Sequence, residues 1–346
     1  MGHEINGELA SWQAVAPAHA WSSLLVGNGF SAHLWRRFHY ASLFAQACEA
    51  GHLDPADEGL FEAFQTENFE RVLSALSTSI TVARTLGEST DDLYERYASV
   101  QDALGGAVRH VHPRLEEVPY DTREAVRRAL AGYKGIYATS YDLLLYWCMG
   151  AGSGGHESFH GFKDYFWAGG RCEFDPADTT IMEGHSARVV HLHGALHLVV
   201  NGEGVTRKRT FGGSSLLDQI GQLDPDEPQQ RPLLISEGSA VDKLRAIQEN
   251  DYLSFALTQL REATLPMVVF GHSLSPQDAH LIEALNRRPE RPMAISIRVE
   301  DGVDVLARQA HVRHVLKARS LYFFDAATHP LGLPEHCIPD ERAVPA

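Results

Sequence analysis

Cysteine is scarce: four residues, Cys48, Cys148, Cys172 and Cys337, in a chain of 346. No two form a C-x-x-C pair, which excludes a zinc ribbon and a redox dithiol. Thiols this sparse fit a reducing compartment. No run approaches the roughly 18–20 apolar residues that a membrane helix needs. The opening MGHEINGELASWQ has neither the basic nor the apolar stretch of a signal peptide, and it lacks the Ser/Thr of a myristoylation motif. The expectation is a cytoplasmic protein that engages no membrane. Positive charge is short as well, with 30 Lys+Arg against 45 Asp+Glu and a formal net charge of -15. A field of that sign repels a polyanion, so direct nucleic-acid binding is not expected. No internal repeat is visible.

Hydrophobic residues make up 44% of the chain, enough for a sizeable core. Strand-length apolar runs recur at residues 23–26, 135–139, 188–192, 196–200, 232–235, 266–270, 294–298 and 321–324. Most are apolar on both faces, the pattern of a parallel sheet covered on both sides. Helical spacing marks residues 60–77, 90–104 and 121–131, the last opening with a capping-box-like pair, Asp121 and Glu124. These signals predict one α/β domain over residues 1–346, a Rossmann-like parallel sheet with a large helical insertion at 33–132. A Gly- and aromatic-rich irregular insert is expected at 150–187, and residues 202–231 read as polar and turn-rich.

Four motifs can carry chemistry. In LLVGNGFSA a strand runs into Gly27-x-Gly29-x-x-Ala32, the arrangement in which glycines allow a tight turn and close approach to a pyrophosphate. The acidic residue expected about 20 positions later at the end of a second strand is missing, which argues against an ordinary dehydrogenase. In GIYATSYDLLLYW the polar residues Thr139, Ser140, Tyr141 and Asp142 follow a strand. They either point into a ligand crevice or, for Asp142, cap the next helix. In RVVHLHGALHLVV, His191 and His193 share one strand face if the strand continues, and Gly194 supplies a turn. A general base at His193, a metal cluster of His191, His193 and His197, and purely structural histidines all remain open. In PMVVFGHSLSPQDAHLIEAL a buried strand ends in Gly271, His272 and Ser273, suited to a phosphate or ribose, while Ser275 and Pro276 read as a helix start.

Taken in order, these motifs resemble the sirtuin-like NAD-consuming family. They also resemble a bacterial subgroup of it, first catalogued as a domain of unknown function and met near phage-defence systems. The matching runs are residues 27–31, 139–142, 191–194 and 271–280, with 232–260 also similar, and the likeness covers about 24–325. The resemblance implies NAD+ as substrate and no metal. Gly27, Asn28, Gly29, Phe30 and Ser31 would surround its pyrophosphate and ribose, joined by Thr139 and Tyr141, with Gly271 and Ser273 on the adenosine side. Asp142 would sit by the nicotinamide carboxamide and His193 would be the general base. The family's catalytic Asn falls on Ser140, which has a hydroxyl but a shorter reach and no amide. The four-Cys zinc module of protein-deacetylating sirtuins is absent, which favours NAD+ hydrolysis over deacetylation. The implied setting is anti-phage defence, as a homo-oligomer and with a HerA-like ATPase or another defence partner. The alternatives are an NAD- or ADP-ribose-binding sensor subunit, marked by Ser140, and a metal-dependent hydrolase using His191, His193 and His197.

Overall fold

The structure is a computed structural model that describes residues 9–38, 43–151, 161–166, 172–178, 186–209, 216–220, 230–235, 240–300 and 303–339. Most of the expected insert at 150–187, and much of the turn-rich 202–231, lie outside the described residues.

The strands are β1 (Ser23–Val26), β2 (Gly135–Ala138), β3 (Phe162–Lys163), β4 (Ala187–His191), β5 (Gly194–Val200), β6 (Thr206–Lys208), β7 (Arg231–Leu234), β8 (Met267–Phe270), β9 (Met293–Ile297) and β10 (Leu321–Asp325). Seven of them form one sheet in the order β10-β9-β8-β1-β2-β4-β3, and every pairing in it is parallel. Successive residues of a strand serve opposite faces. Leu24 and Val26 join one apolar cluster and Leu25 the other; Val268 and Phe270 oppose Met267 and Val269 in the same way. A sheet buried on both sides needs continuous apolar strands, and that made these runs legible. The fold is α/β and Rossmann-like. Strand order reverses at β1, with β2 and β4 on one side and β8, β9 and β10 on the other. That reversal opens a crevice at the carboxyl ends of the central strands.

Residues 196–200 and 232–235 correct the single-sheet expectation. They belong to β5 and β7, which pair antiparallel and, with β6, form a separate three-stranded sheet. Only Leu192 and His193 separate β4 from β5, far too few for a parallel crossover of a dozen or more residues. Gly194, at φ +74, makes the turn; a Cβ there would lie 1.9 Å from the Leu233 carbonyl oxygen.

The helices between β1 and β2 are α2 (Asn28–Leu34), α3 (Leu43–Glu49), α4 (Pro55–Ala63), α5 (Phe69–Leu86), α6 (Asp91–Val111) and α7 (Tyr120–Leu130), after a short α1 (Trp12–Val15). The continuous helix expected at 60–77 is instead α4 and α5. The chain breaks at Gln65, whose φ is +48, and restarts at Asn68, whose side chain accepts from the Arg71 N–H. The expected capping box at Asp121 does not form. Pro119 precedes the helix, and Asp121 sits inside its first turn, where a carboxylate complements the helix dipole. The remaining helices are α8 (Leu144–Gly150), α9 (Leu216–Gln219), α10 (Ala240–Gln248), α11 (Asp251–Glu262), α12 (Ala279–Asn286) and α13 (Val305–Val315). Among the described residues no helix is long and apolar enough to cross a membrane.

Candidate active site

A cavity of about 780 Å³ opens at the carboxyl ends of the central strands. Asn28 and Gly29 line it after β1, Thr139, Ser140 and Tyr141 after β2, His193 after β4, and Gly271 and Ser273 after β8. The rim carries exposed Arg36 and Arg308, together with Arg298, which is paired to Glu300. A cationic mouth on an acidic chain favours an anionic ligand.

The glycines after β1 have a reason within the fold. Gly27 N–H donates to the Phe270 carbonyl at 2.9 Å, and Gly29 N–H donates to the Gly271 carbonyl at 2.8 Å. A Cβ on Gly27 or Gly29 would meet the Gly271 oxygen at 2.5 Å or 2.7 Å. Gly271 holds φ +65, and a Cβ on it would meet Phe30 N at 2.5 Å and the Gly29 carbonyl carbon at 2.8 Å. The missing side chains therefore let two strand-end loops touch, and the Gly29 amide is already spent in the protein. Gly29→Ala is expected to destabilise the fold by about 1–3 kcal/mol, as overpacking does, measured by urea unfolding. An unchanged midpoint with lost ligand affinity would return this glycine to the ligand. Gly27, Phe30, Ser31 and Asp142 do not line the cavity. Phe30 is a fully buried core residue.

Ser31 and Asp142 act one step behind. The buried Ser140 hydroxyl donates to Asp142 Oδ2, and Asp142 Oδ1 accepts from Leu144 N–H at 2.8 Å. With its own hydrogen spent, Ser140 Oγ can only accept from Ser31 Oγ, 3.2 Å away. The chain Ser31–Ser140–Asp142 thus has one direction, and one acceptor lone pair on Ser140 is left for the cavity. Asp142 braces the turn into α8, as the capping reading expects, and it orients Ser140 rather than lining the cavity itself.

His191 and His193 do not share a face, because β4 ends at His191. His191 turns into the core, with its ring 4.9 Å from that of His197, and His197 stacks on Tyr146 at 4.2 Å. Burial lowers His191 to about 4 and takes His197 well below its ordinary 6.5. His193 faces other partners. Its Nε2 lies 2.9 Å from His280 Nε2 and 4.0 Å from Asp278 Oδ1. Lys243 of α10 holds Asp278 Oδ1 at 2.9 Å, and His272 Nε2 is 3.7 Å from Asp278 Oδ2. Burial, reinforced by the Lys243 ammonium, pulls His193 well below its ordinary value, against the opposing Asp278 charge. The ring is neutral at neutral pH, so one of its two nitrogens carries a lone pair.

The triad His191, His193 and His197 therefore does not converge, and that metal reading falls. Among the described residues, His193, Asp278 and His280 are the group close enough to share an ion. Their carboxylate already carries the Lys243 ammonium, so a metal there would face a buried cation. Sequence reasoning gave no role to Asp278, His280 or Lys243. Asp278 and His280 stand in the motif at 271–280, two residues apart; Lys243 had no signal, since only folding brings α10 to the site.

No curated protein matches the chain in sequence. The sequence model of one family matches residues 24–331, nearly the whole region that forms the sheet and the cavity. The chain belongs to the family described as Domain of unknown function (DUF4917).

Proposed function

We propose that the protein is an NAD+ hydrolase of the sirtuin-like kind, releasing nicotinamide and ADP-ribose. The observation that carries this reading is convergence: four motifs far apart in the sequence open into one cavity at the topological switch point of a parallel sheet. The volume, about 780 Å³, suits a dinucleotide, and the cationic rim suits its pyrophosphate.

In the proposed reaction, a water oxygen forms a bond to C1′ of the nicotinamide ribose as the C1′–N bond breaks. Nicotinamide leaves neutral with the bond pair, and one proton of the water passes to His193 and then to solvent. The transition state is cationic at the ribose, so its stabilisation is electrostatic. The Ser140 acceptor, backed by Asp142, is the polar group at hand to orient the water or a ribose hydroxyl. The defence role, homo-oligomerisation and a HerA-like ATPase partner belong to the same proposal.

One observation favours the sensor reading instead. The Ser140 hydrogen is committed to Asp142, so the site offers no side-chain donor where the family has an amide. Ser140→Asn discriminates. It should raise nicotinamide release about tenfold or more, because an amide donates to Asp142 and still reaches the cavity. NAD+ bound calorimetrically without turnover, in both parent and variant, would favour the sensor.

A further inference from the structure

His193 is not a lone base. Among the described residues, its ring has one side-chain hydrogen-bond partner, His280, the second residue of α12. The rings are 5.1 Å apart at 47°. Burial keeps both imidazoles neutral at pH 7, so one Nε2 donates and the other accepts. His280 gains little for the fold by being there. It is 2% exposed, and its buried Nδ1 has no hydrogen-bond partner among the described residues. A buried imidazole with an orphaned nitrogen is a net cost to stability that an apolar side chain of similar size would avoid.

The polar surroundings point the same way. When His193 takes up a proton its Nε2–H needs an acceptor, and His280 Nε2 is the nitrogen at 2.9 Å. The charge then lies beside Asp278, whose Oδ1 is 4.0 Å away and whose own place is fixed by Lys243 at 2.9 Å and Ser275 Oγ at 3.3 Å. The arrangement has the logic of a base oriented by a third group, with a second imidazole in the orienting place.

We infer that His280 is a positioning residue for His193, holding its ring in one tautomer and sharing the proton it accepts, with the Lys243-anchored Asp278 as the counter-charge. This rests on the NAD+-cleavage reading, and the test separates the two. His280→Leu conserves volume. It should melt at or above the parent temperature while kcat for nicotinamide release falls about ten- to a hundredfold, part of what a positioned base supplies, with KM within about twofold. His280→Gln, which restores a polar atom at similar reach, should recover part of kcat. Independently of turnover, the ring nitrogen-15 shifts of His193 should report one tautomer in the parent and averaged tautomers in His280→Leu. A single unchanged tautomer in His280→Leu overturns the inference, as does a loss confined to KM or melting temperature. A parent protein without turnover sinks the hydrolase reading alone, because the nitrogen shifts still decide the role of His280.

Discussion

His193→Ala should fold like the parent and release nicotinamide about 10²–10⁴-fold more slowly, the loss expected for a positioned general base. The side chain reaches the cavity from the two-residue link between β4 and β5, and the fold there is held by backbone. His193 O accepts from Ile235 N–H at 2.8 Å, and Gly194 makes the turn. The pH dependence has a definite sign. In the proposed mechanism the unprotonated ring is the active form, and its pKa is depressed by burial and by Lys243. Activity should therefore hold as pH falls through 6.5, where an ordinary histidine would protonate, and decline only below that. A rate–pH profile whose acid limb sits at or above 6.5 would remove His193 as the base. By contrast, His191→Ala should act mainly through stability, since that ring lines no part of the cavity.

The second large effect is acid destabilisation carried by buried neutral histidines. Burial lowers His191 and His280 to about 4 and His329 to about 3, and it pulls His193, His197 and His272 down as well. His329 illustrates why. Its Nδ1 accepts from Leu331 N–H at 3.1 Å, so the hydrogen sits on Nε2 and is donated to Tyr133 Oη, also at 3.1 Å. Protonation would remove the acceptor that Leu331 needs. In the unfolded chain these rings take up protons near 6.5. Below that pH the unfolded state binds more protons than the folded one. The contribution is fully present above 6.5 and is lost as pH falls toward the folded values. A ring protonated only in the unfolded state can remove at most about 1 kcal/mol per pH unit in that window. Thermal unfolding midpoints should fall steeply between about pH 6 and 4, above the range where most carboxylates protonate. A midpoint that stays flat from pH 7 to 5 would contradict the neutral assignment.

How far the sequence disclosed this molecule depends on which physics was local. Strands β1, β2, β4, β8, β9 and β10 are short apolar runs because both faces of the sheet are covered, and they were readable on that ground. Strands β5 and β7 look the same, since burial on two faces does not say which sheet buries them. The signal that separates them is the two-residue link at Leu192 and His193, too short for any parallel return. The break between α4 and α5 carries no Gly or Pro at Gln65, although Asn68 is a recognisable cap. At the site, residues that end strands were legible as cavity residues because the topology of a parallel sheet sends strand ends to one crevice. Phe30 and His191 belong to the same motifs but face the core, a distinction that only packing makes. Lys243 answers Asp278 across 35 positions of sequence, a pairing that nothing local encodes.

The most direct measurement is a proton NMR time course of NAD+ with the purified full chain and its Ser140→Asn variant in oxygen-18 water. The account predicts nicotinamide and ADP-ribose in equal amounts, with one labelled oxygen entering ADP-ribose at C1′ and the faster course in the variant. NAD+ left intact by both proteins, or products without the label, would contradict it.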